Sequence, residues 1–335
     1  MKNRTPGVRL PIQRKLFLFF LFAIILPLLL FGSFLFSQQM NVLENEVQQA
    51  AQRELVQMAE RLNLEFAQVQ AVSNLFYLDE EITRLLEGFE AKTLPEDEVQ
   101  QLLQQRMNHY STGLNNLRFQ AAVIAPGGRV WGGTGSKPLY LQPAQIAWYA
   151  RLQKRTTDIL WVADEGAQAV FSTPGYPYIC LVRQLHNRTT WEPVGTLVLG
   201  ISELDILKMY YGYVGWDQSC YIVNRSDALV SRVDNLNGSL LGTLSPEEYA
   251  SFSGSFIKKV GGARYLVNYY TISSTQWKIV TFSSLSSRLH NFAGVLTAYF
   301  TILALYLVIT VVLSGLMARQ FAKPITNLYS SIQKV

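Results

Sequence analysis

The sequence predicts an α+β domain held outside the cytoplasm between two transmembrane helices. Three observations predict it. Two long apolar runs near the chain ends carry no charge, the acids and bases are sorted along the chain, and the stretch between the runs turns from helical to strand periodicity.

The first run is Leu16 to Phe36, and residues 16–36 are assigned to transmembrane helix 1. A bilayer core takes about 20 apolar residues in a helix, where the backbone satisfies its own hydrogen bonds. Pro27 within the run predicts a kink. A signal-peptide core would be about 7–15 residues. This run is longer and exits into Phe34-Leu35-Phe36-Ser37-Gln38-Gln39, with no clear small-x-small cleavage site. An uncleaved anchor is the expectation. The second run is residues 292–318.

Charge sets the orientation. Residues 1–15 form a basic tail with Lys2, Arg4, Arg9, Arg14 and Lys15, and residues 319–335 carry Arg319, Lys323 and Lys334. All 24 acids lie between residues 37 and 291. Basic flanks stay in the cytoplasm, so both termini are expected inside and residues 37–291 outside. The net charge of +5 therefore reflects topology, and the slightly acidic outer segment gives no footprint for nucleic acid.

The outer segment opens with a helix expected over residues 38–87, which contain no Gly before residue 88 and no Pro. Leu43, Val47, Ala50, Leu55, Met58, Leu62, Phe66, Val69 and Phe76 follow the three- and four-residue steps of an amphipathic helix. Packing along its own domain and a seam between two chains both fit this stripe. A distal lobe is expected over residues 88–212, with a helix at 97–109 and strands at 119–125, from 129, and at 159–162, 169–173, 178–186 and 194–201. Helices are expected at 144–154 and 203–211. A smaller lobe over 213–284 repeats the theme, with strands at 219–224, 228–231, 254–260, 263–272 and 277–282. Ser245-Pro246-Glu247-Glu248 reads as a helix start, with Pro at the first helical position.

The chemistry is sparse. His109, His186 and His290 are scattered, so no metal site and no cofactor is expected. Cys180 and Cys220 fall in apolar strand patterns in different lobes; a disulfide is permitted outside the cytoplasm, and two buried thiols are the expectation. Trp131-Gly132-Gly133-Thr134-Gly135 lacks the helix and Lys-Ser/Thr of a phosphate loop. No catalytic residue set stands out. The ligand-site candidates are Trp131, Trp148, Tyr149, Trp161, Tyr178 and Arg183, an aromatic group with one cation. Core packing is the alternative for the aromatics, and a surface strand position is the alternative for Arg183.

The stalk helix after the first span, Ala147-Trp148-Tyr149-Ala150, Tyr178 to Arg183, Pro193 to Ile201 and Trp277 to Thr281 together resemble a double Cache sensor, a tandem of PAS-like lobes on a stalk. Lys323-Pro324-Ile325 is similar to the start of a HAMP linker, and Ile325, Leu328, Ile332 and Val335 keep coiled-coil spacing. The whole resembles the sensor half of YesM-type (LytS-like) bacterial sensor histidine kinases. The resemblance implies a multi-pass protein of the bacterial plasma membrane, a homodimer that senses an extracellular ligand and relays the signal through Lys323, Pro324, Ile325, Leu328 and Ile332. The kinase transmitter is not in this sequence, so the chain as given is expected to have no enzyme activity. A cytoplasmic response regulator is implied only with a kinase domain. A chemoreceptor or cyclase sensor half, or a membrane-anchored binding protein, are the alternatives. Amino-acid-sensing members place an Arg where this chain has Ile146, and an Asp where it reads Gly200-Ile201-Ser202. That makes an amino acid a doubtful ligand; a neutral or sugar-like molecule, or a partner protein, fits better.

Overall fold

The computed structural model describes residues 12–111, 118–132, 139–142, 146–153, 159–163, 170–171, 177–236, 238–290 and 293–332. Helix α1, Ile12–Leu78, joins the apolar run and the amphipathic stalk and continues through Pro27. It stops earlier than the sequence suggested. Asp79 leaves helical conformation (φ −81°, ψ 103°), and its side chain accepts a hydrogen bond from the Glu81 amide at 3.0 Å. That cap starts α2, Glu80–Glu90. An Asp followed by two acids is a helix start needing neither Gly nor Pro, so a scan for breakers passes over it. Tyr110 Oη, on α3 (Glu96–Ser111), donates to Asp79 Oδ2 at 2.8 Å and ties the corner down.

The first sheet holds β1 (Phe119–Ile124), β2 (Arg129–Gly132), β3 (Leu139–Tyr140), β4 (Ile159–Val162), β5 (Tyr178–His186) and β6 (Pro193–Ser202). Its order is β3-β2-β1-β6-β5-β4, and every pairing is antiparallel. The expected strand at 169–173 lies mostly outside the described residues; Val170 and Phe171 within it are not in a strand. Along β5, Ile179, Leu181 and Leu185 join a core with the stalk, while Tyr178, Cys180 and Val182 join a second core on the other face. Burial on both faces explains why this strand reads as an almost unbroken apolar run. The outer face is covered by α4, Ala147–Gln153.

Helix α5, Glu203–Tyr211, leads to the second sheet. Its strands are β7 (Gln218–Val223), β8 (Leu229–Asp234), β9 (Ser253–Val260), β10 (Ala263–Ile272) and β11 (Trp277–Ser284), ordered β8-β7-β11-β10-β9 and antiparallel. Cys220, Ile222, Ile272, Trp277 and Ile279 meet the same core that Leu55, Met58, Leu62 and Phe66 of α1 share with the first sheet. The opposite face builds its own cluster around Tyr221, Tyr249, Tyr269 and Phe282. A 3-10 turn, Pro246–Tyr249, sits over it, and the Ser245 amide donates to Glu248 Oε2 at 2.8 Å, as the Ser-Pro-Glu-Glu pattern predicts. Residues 50–285 form one compact unit. The two sheets are thus built on one core.

Residues 1–49 and 286–335 form the second unit. Helix α6, Leu285–His290, precedes α7, Ala293–Ile332. Tyr299 Oη donates to the Gly32 carbonyl at 2.5 Å, and the Phe36 ring lies 5.5 Å from that of Tyr299. A side chain at Gly32 would meet Tyr299 Oη at 3.1 Å, so the small residue permits this approach. Around the contact, Phe19, Phe22, Phe31, Phe34, Leu305, Val308 and Val312 are exposed. An exposed apolar surface of this extent marks a lipid or protein contact. Two helices here are long and apolar enough to cross a membrane. Lys323, Pro324, Ile325, Leu328 and Ile332 all lie on α7.

Candidate functional site

The six ligand-site candidates fall on opposite faces of the first sheet. Trp131, Trp161 and Arg183 face the stalk. Trp148, Tyr149 and Tyr178 face outward.

On the stalk face each candidate has a structural occupation. Arg183 Nη1 donates to Asn74 Oδ1 at 2.5 Å and to Ser73 Oγ at 3.2 Å, and its guanidinium lies 4.1 Å from the Tyr77 ring centroid. A planar cation stacked on an aromatic ring and anchored by oxygens is a strong local lock. β5 thus aims Arg183, expected as a ligand clamp, at α1. Trp161 packs edge-on to Phe66 at 5.0 Å and lies 6.2 Å from Trp277, linking β4, α1 and β11. Trp131 is edge-on to Phe89 at 4.8 Å.

The outer face is different. Alternation along β1 places Gln120 beside Ala122 and Ile124 on this side, and the register sets Gln120, Gly200, Cys180 and Val162 in one row across four strands. Gly200 leaves room for rings: a Cβ there would lie 2.5 Å from the Phe171 ring and 3.1 Å from that of Tyr178. Trp148, Phe171 and Tyr178 are all buried, and Tyr149 is partly buried against Trp148. Two polar atoms in this layer, Trp148 Nε1 and Gln120 Oε1, are buried without hydrogen-bond partners. One is a donor and the other an acceptor. Each such orphan forfeits its hydration, and Trp131 Nε1 and Trp161 Nε1 on the stalk face are orphaned in the same way. Gln120 escaped the sequence reading because a single Gln in an apolar strand gives no pattern; only the register puts it on the outer side.

Burial pushes the Cys220 thiol and the Tyr210 hydroxyl up from their ordinary values. Cys180 and Cys220 form no disulfide and are both buried. Among the described residues no cluster of His, Cys, Asp and Glu could hold a metal ion.

Two antiparallel sheets stacked along one long helix, with an outer layer over the first sheet, form a fold that solved structures share. The ligand-binding domain of the Campylobacter jejuni chemoreceptor Tlp3, solved in complex with 4-methylisoleucine, is similar with a TM-score of 0.54 at 13% identity, over 73% of this chain and 94% of that one. The extracellular domain of rpHK1S-Z16, described as a histidine kinase, is similar with a TM-score of 0.50 at 12% identity, over 72% and 97%. No family model and no curated protein matches the sequence.

Proposed function

We propose that the chain is the ligand-sensing and transmembrane signalling module of a bacterial sensor histidine kinase, a homodimer in the plasma membrane with both termini inside. The observation that carries the sensing role is the outer layer of the first sheet, where the Trp148 indole N–H and the Gln120 carbonyl are buried and unpartnered. The two structural neighbours carry this fold on different outputs, so a chemoreceptor sensor half is the second reading. The Lys323-Pro324-Ile325 stretch at the end of α7, similar to a HAMP start, favours a coiled-coil relay in either case. Signalling is then a population shift between two packings of the paired helices, driven by the ligand's preference for one of them.

The ligand is a small neutral molecule of the sugar or polyol kind. Among the described residues this layer buries no charged side chain, and Ile146 occupies it where amino-acid sensors place an Arg. Titration of the full chain in nanodiscs with a panel of neutral sugars and polyols, beside L-isoleucine and L-valine, tests the reading through Trp fluorescence. A neutral binder is expected, weakened about tenfold by Trp148→Phe or Gln120→Leu, the worth of a buried hydrogen bond. Binding confined to the amino acids, or indifferent to both substitutions, would sink it.

A further inference from the structure

A cleft lies on the other face of the first sheet from Trp148 and Tyr178. Its volume is about 530 Å³, and Phe89, Lys92, Leu94, Pro95, Arg129 and Tyr140 line it. Three local features build it. Helix α2 ends and Lys92 takes a left-handed conformation (φ 55°), turning the chain toward α3. The Gly127 amide, in the β1–β2 turn, donates to Glu90 Oε1 at 3.3 Å and holds the turn against that end. The register pairs Arg129 of β2 with Tyr140 of β3.

Arg129 is the unusual element. It is only 3% exposed. Its guanidinium carbon lies 5.2 Å from the Tyr140 ring and 5.8 Å from the Trp131 ring. Nε is 2.6 Å from Glu96 Oε1, which balances its charge from one side. Nη1 is buried with no hydrogen-bond partner. A guanidinium matches planar oxyanions with two edges, and here Nη1 has no partner although Arg129 lines a cleft whose walls are mostly apolar. The exposed Lys92 adds a second cation, while the rim carboxylate of Glu90 is engaged by the Gly127 amide.

We propose that this cleft binds a small apolar carboxylate, a site separate from the outer layer of Trp148 and Gln120. The carboxylate accepts from Arg129 Nη1 and faces the Lys92 ammonium. The hydrocarbon body lies against Phe89, Leu94, Pro95 and Tyr140. Sites of this size commonly pair an apolar wall with a few placed polar groups. Occupation would brace the α2–α3 corner against the β1–β2 turn, giving the sensor a second input.

Calorimetric titration of the full chain in nanodiscs with sodium hexanoate tests the proposal, with hexan-1-ol as the uncharged control. Hexanoate is expected to bind more tightly than hexanol by about tenfold, the worth of one charge-assisted contact. Arg129→Gln should erase that difference. Because Arg129 is buried and its loss could unfold the lobe, Lys92→Ala and Tyr140→Ala, at exposed positions, carry the test independently. Lys92→Ala should weaken hexanoate at least threefold and leave hexanol unchanged, and Tyr140→Ala should weaken both. No hexanoate binding by about 10 mM, equal affinity for hexanol, or insensitivity to Lys92→Ala would overturn the site. Loss of hexanoate binding in Gln120→Leu would move the ligand to the outer face and overturn it equally.

Discussion

Arg183 shows how one side chain can fit two roles that the sequence does not separate. A cation in an aromatic-rich strand fits a ligand clamp, and it also fits a brace. The choice rests on Ser73 and Asn74, which lie 110 and 109 residues earlier in the chain. No local pattern connects them. Trp131 and Trp161 are the same case, since strand parity assigns a face only when the sheet's layers are known. Trp148 and Tyr178 lie in the outer-face cluster because the helix and strand carrying them pack there. Arg183→Met is expected to remove both hydrogen bonds and the Tyr77 stack, costing about 2 kcal/mol. For a unit of this size that lowers the melting temperature of the full chain by roughly 4–8 °C. A change below one degree would show that the contact is not holding the strand to the stalk.

At the scale of elements, the stalk was read correctly in period and incompletely in partner. The stripe through Leu55, Met58, Leu62, Phe66, Val69 and Phe76 is buried against the chain's own sheets. It has no face left for a second chain. The proposed dimer therefore needs another seam, and the reverse side of α1 offers one. Leu64, Gln68, Ala71, Leu75 and Leu78 alternate steps of four and three, and all are exposed. That spacing is the seam of a parallel coiled coil, and two copies anchored in one membrane would present it at equal height. Cysteines placed singly at Leu64, Ala71, Leu75 and Leu78 should oxidise to interchain disulfides in membranes, while Leu62→Cys and Phe66→Cys should not. The native thiols give a silent background because both are buried. Crosslinks at Leu62 or Phe66, or none at the four exposed positions, would reject this seam.

At the scale of the molecule, two sheet-and-helix repeats suggested two lobes, and the strand count of each was largely readable from alternation and turns. Their energetic independence was not. One core runs from Phe76 and Leu86 through Phe66 to Ile222 and Ile279, and the rings of Phe66, Trp161 and Trp277 lie within 6.2 Å of one another at its middle. A sheet that buries its inner face only against a shared helix loses that burial when the helix leaves. The unit of residues 50–285 should therefore unfold in one cooperative step. The protein carries its own probes of this, Cys180 on the first sheet and Cys220 on the second, both buried. In denaturant, thiol labelling of the full chain should expose both at the same concentration. Trp161→Ala should move both midpoints down together, by an amount equivalent to about 3–5 kcal/mol for a large aromatic removed from a core. If Cys180 reacts while Cys220 stays protected, the lobes are separate folding units. A change at the first sheet would then have to leave it along α1 alone, without passing through the second sheet.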